Sequence, residues 1–307
     1  MEPTFSIVVP TYNRPAPLTA CLQALAALEY PRDGYEVLVV DDGSTEPLGD
    51  VVRPFEEAMA LTLLRQPNAG PAEARNTGAN HARGRYLAFT DDDCAPHPGW
   101  LRGFERQLLL TPGALLGGRV DNALVGNAFS EASQILLRYV YAYTERTRTD
   151  RFRTSNNLAL SAEGFRHIGG FDAAFGLAAG EDRDFCNRWL RAGREMRSVP
   201  DAVVSHAHAL TLHSFARQHF QYGRGAYYYH QFKAGRGGFG LRPDLSFYAG
   251  LVRYPLTVTE GARAWTLASL LFLSQVTNAA GFFYEAVSDR IDGQVPGFRP
   301  LETGAHS

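Results

Sequence analysis

The sequence predicts an α/β fold, built on a mostly parallel, doubly wound sheet with helices on both faces. Four short runs rich in valine, isoleucine, leucine and aromatic residues have the length of strands: Ser6 to Val9, Glu36 to Val40, Leu61 to Leu64 and Arg85 to Thr90. Segments between them have helical patterns: Pro15 to Leu28, Leu48 to Met59 and Pro71 to His81. We expect parallel pairing, because strands separated by crossover helices run in the same direction.

Beyond Thr90 the pattern is less regular. The sequence predicts a strand at Ser155 to Leu160, a helix from about Asp182 to Ala192, and a strand around Ala202 to Ser205. The chain then continues as helices and loops, and a glycine-rich patch at 234–240, AGRGGFG, favours a flexible loop. We therefore expect one domain over residues 1–209 and a mostly helical C-terminal extension over 210–307.

Composition excludes some classes of protein. The 307 residues suffice for one large α/β domain with an appendage, or for two small domains. A formal net charge of -2 argues against nucleic-acid binding, which requires a clustered excess of lysine and arginine. The start, MEPTFSIVVP, lacks the pattern of a secretory signal, so we expect a cytoplasmic protein. Cys21, Cys94 and Cys186 are scattered and odd in number, which predicts reduced thiols.

One segment of the extension is apolar enough for a membrane. The run WTLASLLFLSQVTNAAGFFY, between Arg263 and Glu285, carries no charge and is about as long as a membrane span. Gln275 and Asn278 interrupt it, and polar amides near the middle make a spanning helix costly. We therefore expect a buried helix, or one lying in the bilayer interface, rather than a span.

Polar residues follow the predicted strands where each strand ends. PTYNR, DDGST and TDDD follow three of them, and RQPNAG follows Leu64. In open α/β sheets, ligands bind outside the carboxyl ends of the strands. The sequence therefore predicts that these carboxylates and small polar residues converge on one binding site.

The triplet Asp91, Asp92 and Asp93 places three carboxylates side by side. On a strand end, the first and third side chains point the same way, so Asp91 and Asp93 can share one ligand while Asp92 faces elsewhere. Converging carboxylates suit a hard divalent cation such as Mg²⁺ or Mn²⁺ that bridges to substrate phosphates. The alternative is a solvated acidic turn or a helix N-cap.

Two other segments offer groups for a nucleotide. Asp41 and Asp42 can accept hydrogen bonds from a base or from ribose hydroxyls, although a helix cap would explain one of them. Asn68 and Gly70 predict a turn before a helix that carries Arg75 near its start. A guanidinium there suits a diphosphate or a base edge, whereas an isolated arginine would more often lie on the surface.

Five segments, taken in order, resemble family 2 glycosyltransferases of the GT-A fold: SIVVPTYNR, VLVVDDGST, NAGPAEARNTG, YLAFTDDD and GGFDAAFGLAAGEDRDFCNRWLRAG. The resemblance covers about Ser6 to His208. VVDDGS or the aspartate triplet alone is a weak signal, but five segments in the right order and spacing are specific. The resemblance implies a GT-A domain whose donor half is about 1–120 and whose acceptor half is about 121–209.

The resemblance also implies a role for each matching residue. Those expected to bind the nucleotide sugar are Pro10, Thr11, Tyr12, Arg14, Asp41, Asp42, Asn68, Gly70, Arg75, Asp91 and Asp92. Those expected to hold Mg²⁺ or Mn²⁺ are Asp93 and Asp91, with His206 as the first choice of histidine and His208 as the second. Asp182, in the segment GEDRDF, matches the family's general base, and Glu181, the residue before it, is expected to be catalytic as well. Taken alone, acidic residues there would only favour a helix N-terminus.

The activity implied by the resemblance is an inverting transfer of a sugar from a nucleoside diphosphate sugar to the hydroxyl of a glycan, glycolipid or small molecule. Polysaccharide, glycolipid or other envelope glycan synthesis is the expected setting. The alternative is an inactive sugar-nucleotide-binding or membrane-associated scaffold protein. The segment FARQHFQYGRGAYYYHQFK alternates aromatic and basic residues, consistent with acceptor binding, peripheral contact with the inner face of a membrane, or a homo-oligomer contact.

Overall fold

The computed structural model describes residues 2–148, 150–175, 179–235 and 244–292. For residues 290–292 it describes the backbone alone. Its strands are β1 (Phe5–Thr11), β2 (Tyr35–Asp41), β3 (Ala60–Arg65), β4 (Tyr86–Thr90), β5 (Cys94–Pro96), β6 (Leu115–Asn122), β7 (Asn157–Ser161) and β8 (Met196–His206). The glycine-rich patch predicted as a loop lies, from position 236 onward, outside the described residues.

The helices alternate with the strands in the first part and follow one another in the last. They are α1 (Pro15–Ala26), α2 (Gly49–Val52), α3 (Pro71–His81), α4 (Trp100–Leu110), α5 (Ala128–Thr147), α6 (Ala162–Ile168), α7 (Glu181–Arg191), α8 (Leu212–Gly235), α9 (Leu245–Arg253), α10 (Pro255–Val258) and α11 (Gly261–Asp292). The helix predicted over residues 48–59 is shorter, because Pro54 has no N–H to donate and a 3₁₀ turn over Arg53–Phe55 follows α2.

The described strands form one sheet in the order β3-β2-β1-β4-β7-β6-β8-β5. The first four strands pair in parallel, as the sequence predicts. Beyond β4 the sheet is mixed: β7 is antiparallel to both of its neighbours, β6 and β8 are parallel, and β5 is antiparallel to β8. The regular alternation of strand and helix stops at β4, and beyond β4 the neighbouring strands no longer all run parallel.

The sheet has a core on each face. Ile7 of β1 belongs to one apolar cluster with Leu22 of α1 and Phe104 of α4. The next residue, Val8, belongs to a second cluster that contains Trp189 of α7. Successive side chains of a strand point to opposite faces, so β1 is buried on both sides. The prediction of a sheet covered on both faces is confirmed.

The C-terminal helices pack on one another through glycines. A Cβ atom on Gly223 of α8 would lie 1.9 Å from the carbonyl oxygen of Asn278 of α11. A Cβ atom on Gly281 would lie 1.9 Å from the carbonyl oxygen of Phe220. Below about 3.0 Å something must shift, so these glycines allow the two backbones to touch.

Helix α11 is long and apolar enough to cross a membrane by length and composition. Along one side it buries Leu271 and Ser274 against neighbouring helices, and Glu285 pairs with the buried Arg224 of α8 at 2.5 Å. Along the other side Trp265 and Phe272 are more than half exposed. The helix is therefore packed on the protein along one side and open on the other.

The glycine contact predicts a large effect of a small substitution. Gly223→Ala should lower the free energy of unfolding by about 1–3 kcal/mol, because the new methyl group overlaps the α11 backbone. Gly235→Ala is the matched control, since a Cβ atom at that end of α8 meets nothing within 4 Å. Urea denaturation of both variants measures the difference. Equal stability of the two would contradict the close contact between α8 and α11.

Candidate active site

The carboxyl ends of β1, β2 and β4 border a cleft of about 1150 Å³. The predicted site residues that line it are Pro10, Thr11, Tyr12, Arg14, Asp42, Asn68, Gly70, Arg75, Asp91, Asp92, Asp93, Glu181, Asp182, His206 and His208. Asp41 is the predicted site residue that does not line it. Residues more than a hundred positions apart therefore come together because neighbouring strands end at the same edge.

Arg14 joins two aspartates of the triplet. Its Nη1 donates to Oδ1 of Asp92 and its Nη2 to Oδ2 of Asp93, each at 2.8 Å. Thr11 Oγ1 donates to the other oxygen of Asp92 at 2.8 Å. Burial raises the pKa of Asp92 to about 7, although the guanidinium of Arg14 and the Thr11 hydroxyl oppose the shift. Asp92 therefore takes up a proton more readily than an exposed aspartate does.

The side chains of Asp91, Asp92 and Asp93 do not alternate between two faces in the way that the sequence predicts for a strand end. β4 ends at Thr90, and the next residues form a turn in which the Cys94 amide donates to the carbonyl oxygen of Asp91 at 3.1 Å. In a turn, side chains do not alternate between two faces as they do on a strand. Asp92 and Asp93 consequently share Arg14, whereas Asp91 lies apart from them, at Arg75.

His206 reaches Asp93 because β8 pairs with β5, and their register sets Cys94 opposite His206. Its Nε2 lies 3.2 Å from Asp93 Oδ1. Burial alone would raise the pKa of Asp93, but His206 and Arg14 outweigh it and hold the pKa well below its usual range. His208 stacks on His206 at 5.1 Å between ring centroids, and burial lowers its pKa to about 4.

Asp93 and His206 can hold a divalent cation. Among the described residues, Asp93, Cys94 and His206 place one ligand atom each within 4.8 Å of one another. Burial raises the pKa of the Cys94 thiol well above its ordinary value, so it stays protonated and is a weak ligand. A carboxylate oxygen suits Mg²⁺ or Mn²⁺, with further positions open to water and phosphate oxygens. An imidazole nitrogen beside it favours Mn²⁺, because imidazole is a ligand of transition metals. The residues present therefore fit the cation.

Arg75 links the strand ends to helix α7. Its guanidinium is buried and donates to Asp91 Oδ1 at 2.7 Å and to Glu181 Oε1 at 3.1 Å. Burial, followed by the charge of Asp182, raises the pKa of Glu181 to about 7, and Arg75 opposes the shift. Burial likewise raises the pKa of Asp182, against Arg75. Glu181 therefore pairs with Arg75. Asp182 lines the cleft, and its Oδ1 accepts a hydrogen bond from the Arg183 amide at 2.8 Å.

The extension supports the turn that carries Glu181 and Asp182. Gly180 has φ +101°, which L side chains rarely adopt, and α7 begins directly after it. Behind this turn, a Cβ atom on Gly225 of α8 would lie 2.2 Å from the carbonyl oxygen of Ala179. The backbone of α8 thus touches the turn. Residues on both sides of the predicted boundary at 209/210 build the same site.

Asp41 and Asp42 accept hydrogen bonds from neighbouring loops. Asp42 accepts hydrogen bonds from Gln66 Nε2, the Ala69 amide and the Gly70 amide, at 2.7, 2.9 and 2.8 Å. Asp41 accepts one from the Ser44 amide at 2.8 Å. Neither caps a helix, since α2 begins later and has no side-chain cap. Asp42 remains at the cleft wall, whereas Asp41 is buried behind it.

The motifs do not identify the part of the cleft wall that comes from α5 and the extension. Its polar members are Ser130, Ser133, Gln134, Gln218, His219, Tyr222, His230, Tyr248, Gln275 and Asn278. The available signals were weak: the segment FARQHFQYGRGAYYYHQFK, which contains Gln218, His219, Tyr222 and His230, is consistent with acceptor binding but equally with a membrane or homo-oligomer contact. The sequence singles out Gln275 and Asn278 only as interruptions of an apolar run. Both belong to the cleft wall, which explains amides in that run.

The chain is similar in sequence to known proteins. The model of the family described as Glycosyl transferase family 2 matches residues 6–169. Chondroitin synthase of Escherichia coli is 31% identical over 235 residues, which cover 66% of this chain and 34% of the relative. Pre-mycofactocin glycosyltransferase of Mycobacterium tuberculosis is 30% identical over 229 residues, which cover 72% of this chain and 46% of the relative. The chain thus spans less than half the length of these curated relatives.

Among solved structures, the mannosyltransferase PcManGT of Pyrobaculum calidifontis, in complex with GDP-Man and Mn²⁺, aligns with a TM-score of 0.60. It is 20% identical in sequence, and the alignment covers 96% of this chain and 82% of that one. The sheet and its helical extension therefore have a GT-A-like fold. By sequence, the chain belongs to glycosyl transferase family 2, whose family model spans more than half of it.

The bridge through Arg75 predicts a pH-dependent loss of stability. Arg75→Met should lower the free energy of unfolding by about 3–5 kcal/mol at pH 8, because Glu181 and Asp91 lose their buried partner. Without Arg75 the pKa of Glu181 rises further in the folded state. Protonation then relieves the unpaired charge as the pH falls, so the loss should be smaller at pH 6.

Denaturant titrations of Arg75→Met at the two pH values measure this effect. Arg106→Met is the control, since the Arg106–Asp201 pair is exposed and should contribute no more than about 1 kcal/mol. A similar small loss in both variants would show that Arg75 does not hold the two carboxylates.

Proposed function

We propose that the protein is an inverting glycosyltransferase that moves a sugar from a nucleoside diphosphate sugar to an acceptor hydroxyl. One observation carries the proposal: a single cleft contains both an arginine-, histidine- and aspartate-rich strand edge and a second carboxylate, Asp182, at the start of α7. The first group of residues suits a diphosphate with its cation, and the second suits a hydroxyl that must lose a proton. A neutral or singly charged ligand would leave either the strand edge or Asp182 without a binding partner.

The donor end of the proposed site is the strand edge. Asp93 and His206 would hold Mg²⁺ or Mn²⁺, and the cation would stabilise the negative charge on the departing diphosphate. Pro10, Thr11 and Tyr12 line the part of the cleft proposed for the base. The guanidinium of Arg14 is 43% exposed, so it can turn from Asp92 and Asp93 towards a phosphate. The complex of PcManGT with GDP-Man, and that of the structural neighbour TarS of S. aureus with UDP-GlcNAc, support a donor of this class.

The acceptor end of the proposed site is Asp182. Its carboxylate takes the proton of the acceptor hydroxyl while the hydroxyl oxygen bonds to the anomeric carbon of the donor. The bond from that carbon to the diphosphate oxygen breaks on the opposite face, and its electron pair leaves with the diphosphate. One displacement inverts the configuration at the carbon. Burial raises the pKa of Asp182, which makes its carboxylate a stronger base.

Two substitutions should separate the donor end from the acceptor end. Asp93→Asn should abolish the cation-dependent thermal shift given by the preferred nucleotide sugar in a panel tested with Mg²⁺ or Mn²⁺, because it removes a charged ligand. Asp182→Asn should keep that shift but lower the transfer rate by about 10²- to 10⁴-fold, because an amide cannot take the proton. Transfer is measured as release of the nucleoside diphosphate in the presence of acceptor.

Asp33→Asn, on the exposed loop before β2, is the control and should match the unaltered protein in both assays. Full transfer by Asp182→Asn would exclude it as the base. Donor binding that is unchanged by EDTA would exclude the cation. No thermal shift across the whole panel would favour an inactive or scaffold protein instead.

We further propose a cytoplasmic protein that rests on the inner face of the membrane and works in envelope glycan synthesis. The support is the exposed apolar row on α10 and α11, which includes Leu256, Val258, Trp265 and Phe272. Trp265 and Phe272 are seven positions apart and thus share one side of α11. The full chain should sediment with phosphatidylcholine–phosphatidylglycerol vesicles, and the Trp265→Ser, Phe272→Ser double variant should sediment less. Equal recovery of both would contradict this surface.

A further inference from the structure

The cleft is larger than one small ligand requires. Sites for a single small molecule typically have volumes of about 300–1000 Å³, whereas this cleft measures about 1150 Å³. Its far wall comes from α5, α8, α9 and α11, and includes side chains that the donor has no need to touch. The question is what this wall binds.

His219 of α8 is the most informative group in that wall. It is 1% exposed and lines the cleft, yet neither ring nitrogen has a hydrogen-bond partner among the described residues. Its ring lies between Phe215, at 4.4 Å between centroids, and Tyr222, at 5.5 Å. Burial lowers its pKa to about 4, so at neutral pH one nitrogen donates and the other accepts. Leaving both unpaired would cost free energy that a ligand can recover.

Two neighbouring groups show the same pattern. Gln218 donates from Nε2 to the Tyr222 hydroxyl at 2.6 Å, but its buried Oε1 has no partner within the described chain. Ser133 of α5, which also lines the cleft, has a buried hydroxyl without a described partner. These groups, like His219, belong to residues of the cleft wall and have buried donors or acceptors that are unused within the described chain. Hydroxyl groups, which both donate and accept, complement such a set.

The wall is also uncharged. None of the described residues that α5, α8, α9 and α11 contribute to the cleft is an aspartate, glutamate, lysine or arginine. Within this wall a phosphate or carboxylate on the ligand would find no cation. Arg183 of α7 also lines the cleft, but its guanidinium lies over the rings of Phe152 and Tyr229. The same wall carries aromatic side chains, among them Phe247, Tyr248 and Phe282, and apolar walls with a few placed polar groups are typical of small-molecule sites.

From this geometry we infer that the far wall of the cleft is the acceptor subsite, and that the acceptor group it binds is a neutral saccharide held by His219, Gln218 and Ser133. The inference rests on the proposed function, since Asp182 would take the proton of a hydroxyl of this saccharide. It also means that the C-terminal extension helps to select the acceptor. Two of the three contacting residues lie on α8, outside the region that the family model matches.

Binding of the full chain to an immobilised panel of neutral, acidic and phosphorylated glycans tests the inference. The panel is run alone and with UDP or GDP plus Mn²⁺. The unaltered protein should bind neutral glycans. His219→Phe should weaken that binding by about tenfold or more, because the new ring fills the space without hydrogen-bonding groups. His219→Gln, which can donate and accept, should retain more binding than His219→Phe.

His213→Phe is the matched control, since His213 lies exposed on the same helix and should leave glycan binding unchanged. All variants should keep the nucleotide-dependent thermal shift of the unaltered protein, which also reports that they are folded. Neutral glycans bound equally well by His219→Phe, binding confined to acidic or phosphorylated glycans, or no glycan binding would each overturn the subsite. A lack of any nucleotide-dependent shift would instead overturn the proposed donor.

Discussion

The buried guanidinium of Arg75 is the constraint on which the site depends. A buried cation needs paired carboxylates, and Arg75 finds one on each side, Asp91 at the end of β4 and Glu181 at the start of α7. Its place in α3 is fixed by the sheet, and the two carboxylates are more than eighty positions apart in sequence. Arg75 therefore sets the position of α7 relative to the strand ends. Asp182, next to Glu181, is placed by the same contact.

The aspartate triplet is tolerated because its members have different partners. Asp91 pairs with Arg75, Asp92 with Arg14 and Thr11, and Asp93 with Arg14 and His206. Burial and mutual repulsion raise the pKa of Asp92, whereas the cationic neighbours of Asp93 lower its pKa. Asp92 therefore takes up a proton more readily than Asp93 does. Asp93 is also the one beside an imidazole that can share a cation.

Much of this arrangement follows from sequence, since strand ends meet at one edge of a parallel sheet. The runs before Pro10, Asp41 and Asp91 predict three neighbouring strands, and their loops converge as expected. The orientation of the triplet did not follow, because a turn begins after Thr90 and local alternation ends there. The hydrogen bonds by which Asp42 holds the loop at residues 66–70 could not be predicted either, because its partners there are mainly backbone amides.

The extension was the least predictable part. Its helices meet through Gly223 and Gly281, and a glycine that permits a close crossing has no distinctive pattern in one sequence. His219 and Gln218 appear in the sequence as ordinary polar residues of an aromatic and basic segment. Only the fold places them in a buried wall without hydrogen-bond partners. Long-range packing, which no short motif encodes, decides their surroundings.

The anomeric configuration of the transfer product is the most direct test of the central claim, that Asp182 and the strand edge act on opposite faces of one sugar. Proton NMR of the transfer product, made with an α-linked nucleotide sugar as donor, distinguishes the two configurations, because the glycosidic bond keeps its configuration once it has formed. We expect a β-linked product. An α-linked product would require attack from the same face, and would contradict the placement of base and leaving group on opposite sides of the ring.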